Sequence, residues 1–262
     1  MKRYTKKAIG FLILLGLIIA GKAQNLNGKA QIIEIKTSNY TFPLVKTSSK
    51  EITDKINTYL INSEFGNDNA YNITINNIQV VLQKRQTDFD NRKDDLSEVG
   101  YNLLCNDQNV LSLSTYQTSR GHSFPFSNSD YNFDLKTGSI FGIAQTILPS
   151  AINKIIGLIK PELIKELTQC KQRIQADNKW DDSKQQYWND AYTKSTQGDF
   201  SIRGIRVLPN GISFTITQLH LGLPFRQGLE YDPKDDYLLT WYVIRPYLLP
   251  NCPVSALANL KI

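Results

Sequence analysis

Alternation of apolar and polar residues at a period of two recurs along much of this chain and constrains its fold more than any other feature. The alternation is clear in Val99–Cys105, Val110–Tyr116 and Tyr131–Leu135, and it is typical of strands that bury one face. Turn-forming residues follow these segments at Asp107–Asn109 and Lys136–Gly138. Because short turns join antiparallel neighbours, the sequence predicts an antiparallel meander.

The same alternation predicts further strands. The strongest signal is a hairpin at Pro209-Asn210-Gly211, since Asn-Gly tolerates the left-handed conformation of a tight turn. The highly charged stretch from Lys84 to Glu98 is predicted to be a long hairpin loop or solvated strand ends. The other predicted strands are Ile33–Ile35, Tyr40–Leu44, Ile78–Leu82, Phe200–Leu208, Ile212–Leu219 and Leu238–Ile244.

Few segments have the helical period. Ser48-Ser49 precedes a helical run of apolar residues at Ile52, Ile56, Tyr59 and Leu60, which predicts a serine-capped helix. A longer run, Ile152–Ile174, continues through Pro161 and predicts two consecutive helices or one sharply kinked helix. Trp180–Tyr192 and Val254–Leu260 are predicted to be shorter helices. Together these patterns predict an α+β fold, an antiparallel sheet flanked by helices, with two closely packed halves at residues 24–118 and 119–262.

The first 23 residues have the pattern of a signal peptide. Four basic residues precede an apolar run from Ala8 to Ala20, and the small Gly21 and Ala23 suit a signal peptidase that cleaves between Ala23 and Gln24. The run is shorter than the roughly 20 residues that a membrane span needs. The sequence therefore predicts a periplasmic or secreted protein without membrane contact after signal removal, and an uncleaved anchor is the alternative.

The formal net charge of +6 does not predict a nucleic-acid partner. Five of the 30 basic residues lie in the predicted signal peptide, which leaves 25 basic against 24 acidic residues in the rest of the chain. Nucleic-acid binding is usually accompanied by a clear excess of basic residues. No nucleic-acid partner is therefore expected.

Residues for catalysis or metal binding are sparse. The chain has two histidines and three cysteines, and it contains no HExxH, GxSxG, P-loop or CxxC motif. Cys105, Cys170 and Cys252 permit one disulfide in any of three pairings, although Cys105 and Cys170 continue apolar patterns and are expected to be buried thiols. No catalytic residue, metal or cofactor is predicted, and a binding protein is favoured over an enzyme. The sequence does not indicate the oligomeric state.

Residues Gly121–Gly138, GHSFPFSNSDYNFDLKTG, resemble a known family. The turn Asp134–Gly138 and the long amphipathic helix after it are similar to a domain-of-unknown-function family. That family occurs in the extracytoplasmic region of RsiV-type, lysozyme-responsive anti-sigma factors and in PdaC-type peptidoglycan deacetylases. Similar motifs occur at Phe200–Ile202, Asn210–Phe214 and Leu238–Tyr247, and the segment around Tyr40–Pro43 resembles the smaller N-terminal companion domain.

The resemblance implies an α+β, envelope-facing binding domain whose ligand is a lysozyme-like protein or a peptidoglycan fragment. His122, Tyr131 and Tyr247 lie in the resembling segments and have polar tips, so they are the candidate ligand contacts. The acidic segments Asp88–Asp95 and Asp232–Asp236 would steer a basic partner such as lysozyme. The alternative function is a cell-wall hydrolase or deacetylase.

Export of the protein is expected to remove residues 1–23. Intact-mass analysis of protein recovered from the periplasm or medium of a bacterial host should give a chain that begins at Gln24. The substitution Ala23→Arg should block this cleavage, because a large charged side chain does not fit the small-residue site of a signal peptidase. Exported protein that still carries residues 1–23 would contradict the prediction.

Overall fold

The strands form three antiparallel sheets in this computed structural model, which describes residues 28–66, 73–91, 96–119, 127–176, 201–217 and 236–260, with positions 186, 189 and 193. The first sheet has two strands, the second has four and the third has three, and each sheet follows chain order. In that order the strands are β1 (Gln31–Lys36), β2 (Thr41–Lys46), β3 (Leu96–Asp107), β4 (Val110–Ser119), β5 (Ser127–Asp134), β6 (Ser139–Ile140), β7 (Ser201–Leu208), β8 (Gly211–Thr217) and β9 (Asp236–Thr240).

Two long helices precede the four-stranded sheet, and a third follows it. The helices of the described residues are α1 (Lys50–Phe65), α2 (Ile78–Asp90), α3 (Ile143–Thr146), α4 (Ile152–Ala176), α5 (Trp241–Ile244) and α6 (Ser255–Leu260), with 3-10 turns at Pro149–Ala151 and Arg245–Tyr247. Helices and antiparallel sheets are therefore combined in one chain, which confirms the predicted α+β class.

The four-stranded sheet is buried on both faces, and the period of two assigns its side chains to two cores. On β4, Leu111 and Leu113 belong to the first core, which also contains α1, α2 and the two-stranded sheet. Val110 belongs to the second core, which contains α4 and the three-stranded sheet. Successive side chains of a strand point to opposite faces, so one alternating strand serves both cores.

A buried amide joins the second and third sheets. Asn132 on β5 donates from Nδ2 to the Ile205 carbonyl of β7 at 2.8 Å, and its Oδ1 accepts from the Val207 N–H at 3.2 Å. The same Oδ1 accepts from the hydroxyl of Ser112, its cross-strand neighbour, at 2.8 Å. The Asn132 side chain thus bonds to β7 in the way that a neighbouring strand would.

Several local predictions are confirmed. Helix α1 begins after Ser49, whose hydroxyl accepts from the Ile52 N–H at 3.4 Å. The β3–β4 turn places Gln108 and Asn109 at φ values of 50° and 65°, in the left-handed region that Asn tolerates. The two strands predicted near the start of the described chain are also present, as β1 and β2, and they pair with each other.

The strand predicted at Ile78–Leu82 is wrong, and the prediction of a loop or solvated strand ends at Lys84–Glu98 is wrong for Lys84–Asp90, which is helical. Helix α2 covers Ile78–Asp90, and β3 already begins at Leu96. The buried residues of α2 are Ile78, Val81, Leu82 and Arg85, which follow the i, i+3, i+4, i+7 spacing of a helix. The alternation of Ile78, Val80 and Leu82 was misleading because Val80 is exposed.

Two predicted boundaries also change. The last strand ends at Thr240 and not at Ile244, because Trp241–Ile244 forms a helical turn that buries Trp241 and exposes Tyr242. The segment through Pro161 is one helix, α4, which selects the single-helix alternative. In the β7–β8 hairpin the turn residues are Pro209 and Asn210, without the left-handed conformation expected there.

Gly211 is the first residue of β8, and a close approach accounts for it. A Cβ atom at this position would lie 2.2 Å from the Leu239 carbonyl oxygen of β9. Such a distance is far inside van der Waals contact, so only glycine fits here without a shift of the β9 backbone.

The remaining expectations have mixed outcomes. None of the three cysteines forms a disulfide, and all three are buried, as expected for Cys105 and Cys170. The boundary predicted at residue 118 stays a prediction, and strands β4 and β5 pair across it.

The signal peptide and the predicted helix Trp180–Tyr192 lie outside the described residues, apart from positions 186 and 189. Within the described ranges, no helix is both long and apolar enough to cross a membrane.

The substitution Asn132→Ala should lower the free energy of unfolding by about 3 kcal/mol, because it leaves three buried partners without a hydrogen bond. Chemical denaturation of the two proteins measures this difference. Asn128→Ala is the matched control, since Asn128 is exposed on the same strand, and it should change the unfolding free energy by less than about 0.5 kcal/mol. Equal effects of the two substitutions would contradict a structural role for the Asn132 amide.

Candidate functional site

The outward face of α1 lines a surface cleft of about 510 Å³. Its lining among the described residues is Lys55, Thr58, Tyr59, Asn62 and Ser63. These positions follow helical spacing, so they form one continuous stripe, and each is exposed. The opposite stripe of α1 contains the buried Ile56 and Leu60. The amphipathic character of α1 therefore gives the helix a core side and a cleft side.

Tyr59 contributes an aromatic ring to the described lining of this cleft. Tyr59 is 41% exposed, and two rings of β5 support it from the core side. Its ring meets Tyr131 edge-on, with centroids 6.0 Å apart, and Phe133 edge-on at 5.8 Å. Edge-to-face contacts of this kind are favourable and restrict the orientation of the ring. These contacts therefore hold the exposed part of the Tyr59 ring in a fixed position.

The carboxylate of Glu64, near the C-terminal end of α1, accepts hydrogen bonds from strands β4 and β5. It accepts hydrogen bonds from Thr115 Oγ1 at 2.6 Å, from Gln117 Nε2 at 3.1 Å and from the Tyr131 hydroxyl. Ser63 Oγ lies 2.8 Å from the Tyr131 hydroxyl oxygen. These contacts connect α1 to β4 and β5 and keep Tyr131 in place behind Tyr59.

The environment of Tyr131 disfavours ionisation of its phenol. Burial and, next in size, the hydrogen bond to the Glu64 carboxylate together raise the pKa of Tyr131 to about 12. A phenolate would lose this hydrogen bond and would repel the carboxylate. Tyr131 therefore acts here as a neutral hydrogen-bond donor and not as a base.

A tight turn after β5 packs against α1 beside Lys55, at one end of the cleft. Asp134 builds the turn, since its carbonyl accepts from the Gly138 N–H at 2.7 Å and its carboxylate accepts from the Lys136 N–H at 2.9 Å. Gly138 has a φ of 66°, and a Cβ atom there would lie 3.3 Å from both Ile52 and Lys55. Glycine thus supplies the left-handed conformation and the close approach of the turn to α1.

The structure describes two of the three ligand contacts predicted from the sequence, Tyr131 and Tyr247. Tyr131 lies in the first core, directly behind Tyr59. Tyr247 packs against the second core, where its carbonyl accepts from the Leu148 N–H at 2.9 Å. His122, together with the predicted cleavage residues Ala23 and Gln24, lies outside the described residues. A shared site for the three predicted contacts stays a prediction.

The cleft residues of α1 are missing from the sequence-based candidates. The available signal was the helical spacing of Lys55, Tyr59 and Asn62, which marks one face. Helical spacing from Ile52 and Ile56 predicts Tyr59 in the apolar stripe, yet Tyr59 lies at the border of that stripe and is partly exposed. Only the packing of β5 against α1 shows which part of the ring stays accessible.

Comparisons with known proteins give a likeness of overall architecture. This chain resembles the crystal structure of a member of the DUF3298 family from Bacteroides fragilis, with a TM-score of 0.46 and 11% sequence identity. The match covers 87% of this chain and 95% of that chain. No family model and no curated protein matches the sequence. The match assigns no family, no ligand and no residue role to this chain.

The substitution Tyr131→Phe should destabilise the protein by about 1 kcal/mol near neutral pH, because Glu64 loses one hydrogen bond. Since the pKa of Tyr131 is raised in the folded state, its contribution is fully present below pH 10 and is lost as the pH rises toward 12. The difference in unfolding free energy between the two proteins should therefore shrink between these pH values, as measured by urea denaturation. Glu64→Gln should lower the pKa of Tyr131 in an ultraviolet titration. A pH-independent difference would contradict the assignment.

Proposed function

We propose that this chain is an exported binding module and that its cleft along α1 holds a fragment of peptidoglycan. The observation that carries this proposal is the chemical make-up of the cleft. One helix face presents an aromatic ring, two hydroxyls, an amide and an ammonium group. Sugars have apolar C–H faces that stack on aromatic rings and hydroxyl groups that pair with such polar side chains. This combination suits a glycan better than it suits an apolar ligand.

The size of the cleft supports a small ligand. Its volume of about 510 Å³ lies within the range of roughly 300 to 1,000 Å³ that is typical of small-molecule sites. The predicted signal peptide and the resemblance to an envelope-facing family support the same ligand class, because peptidoglycan is a glycan of the bacterial envelope. The proposed role is recognition of a short piece of this polymer.

Two other functions remain as outcomes of the test. A lysozyme-like protein would need a contact surface of roughly 800 Å² on this chain, which is wider than the cleft itself. A hydrolase or deacetylase would turn over the fragments that a binding module only retains. These three functions differ in the ligand bound and in the products released.

Calorimetric titration of the purified protein with muropeptides should show saturable binding. The substitution Tyr59→Ala should weaken it about tenfold, because the stacking surface is lost. Tyr242→Ala is the matched control, since it removes an 85% exposed tyrosine outside the cleft, and it should leave the affinity unchanged. Thermal unfolding of both variants reports whether each protein is folded.

A parallel titration with lysozyme distinguishes the protein partner. Binding of lysozyme without binding of muropeptides would replace the proposed ligand class. Release of acetate or of shortened fragments, abolished by His122→Ala, would instead identify an enzyme.

A further inference from the structure

The Lys55 ammonium group lies at one end of the cleft, and its contacts with the described residues use two of its three N–H donors. It donates to the Thr137 carbonyl at 3.0 Å and to Ser139 Oγ at 2.9 Å. An ammonium has three N–H donors, so one remains. Both acceptors are neutral, and in the part of the chain that the structure describes no carboxylate lies within ion-pair distance of Lys55. The adjacent acid, Asp54, is paired with Lys50.

The position of this charge is fixed by the turn after β5. The left-handed Gly138 brings the turn against Ile52 and Lys55, and the turn residues Thr137 and Ser139 then hold the ammonium group. Ordering a long lysine side chain normally opposes binding, because the side chain loses conformational freedom. Lys55 is already held by two hydrogen bonds. A ligand that binds its ammonium group therefore restricts the side chain little further.

The spacing of Lys55 and Tyr59 relates this charge to the aromatic surface. The two residues are four positions apart on α1, which places their Cβ atoms about 6 Å apart on the same face. A sugar ring that stacks on Tyr59 therefore brings a substituent of that ring within reach of Lys55. A neutral substituent would leave the ammonium charge uncompensated, whereas a carboxylate would form a charge-assisted hydrogen bond with it.

We propose that the cleft selects a sugar that carries a carboxylate, with Lys55 as the residue that binds the carboxylate. This inference rests on the proposed function and narrows its ligand class. In peptidoglycan from which the stem peptide has been removed, the muramic acid ring bears a free lactyl carboxylate and the N-acetylglucosamine ring does not. The muramic acid ring is thus assigned to the position over Tyr59.

Two disaccharides that differ mainly in this carboxylate test the inference. Calorimetry of the full protein compares N-acetylglucosaminyl-N-acetylmuramic acid with neutral N,N′-diacetylchitobiose. The acidic disaccharide should bind about tenfold more tightly, as expected for one hydrogen bond between charged groups. This preference should disappear in Lys55→Met, persist in Lys55→Arg and decrease toward high salt. Lys36→Met, which neutralises an exposed lysine on β1, is the control and should retain the full preference.

The outcomes separate the inference from the proposed function. Equal binding of the two disaccharides, or a preference that survives in Lys55→Met, would overturn the role of Lys55 and leave a glycan-binding module. Absence of binding with both disaccharides would overturn the proposed function and this inference with it. Thermal unfolding of Lys55→Met should still show a single cooperative transition, so that loss of fold is distinguished from loss of the charge.

Discussion

The architecture depends on hydrogen bonds to strand β7, which lies at the edge of the three-stranded sheet and is packed inside the protein. An edge strand has free N–H and C=O groups, and burying them without partners costs about 1 to 3 kcal/mol for each group. The Asn132 amide supplies both a donor and an acceptor to β7. Asn57 does the same for the Val45 backbone, and Asn106 for that of Ala30. Three asparagines thus join elements that no continuous sheet connects.

This arrangement determines where the candidate site lies. Asn132 joins the three-stranded sheet to one face of the four-stranded sheet, which is the central sheet of the protein. The other face of the central sheet therefore packs against α1 and the first core. Helix α1 buries one stripe there and leaves the opposite stripe at the surface. Tyr131 and Glu64 then connect this helix to β4 and β5 from behind. The cleft is therefore supported by the same contacts that hold the first core together.

The error at α2 shows where pattern-based prediction fails. Five residues, Ile78–Leu82, alternate well enough to predict a strand, and a window so short does not separate a period of 2 from a period of 3.6. The helical stripe becomes complete only with Arg85, a charged residue that pattern reasoning places at the surface. Arg85 is buried because its guanidinium lies over the Phe65 ring, 4.9 Å from the centroid. That contact comes from α1, so no local sequence signal contains it.

The sequence by itself determined the α+β class, the Ser49 cap, the β3–β4 turn, the turn at Lys136–Gly138 and the burial of Cys105 and Cys170. Each of these follows from backbone geometry or apolar periodicity within a few residues. Only the tertiary structure decided that the central sheet has two buried faces, that Tyr59 is supported by β5, and that the turn after β5 reaches Lys55. These contacts join residues far apart in the chain, and their physical basis is shape and hydrogen-bond complementarity between packed elements, which no local pattern encodes.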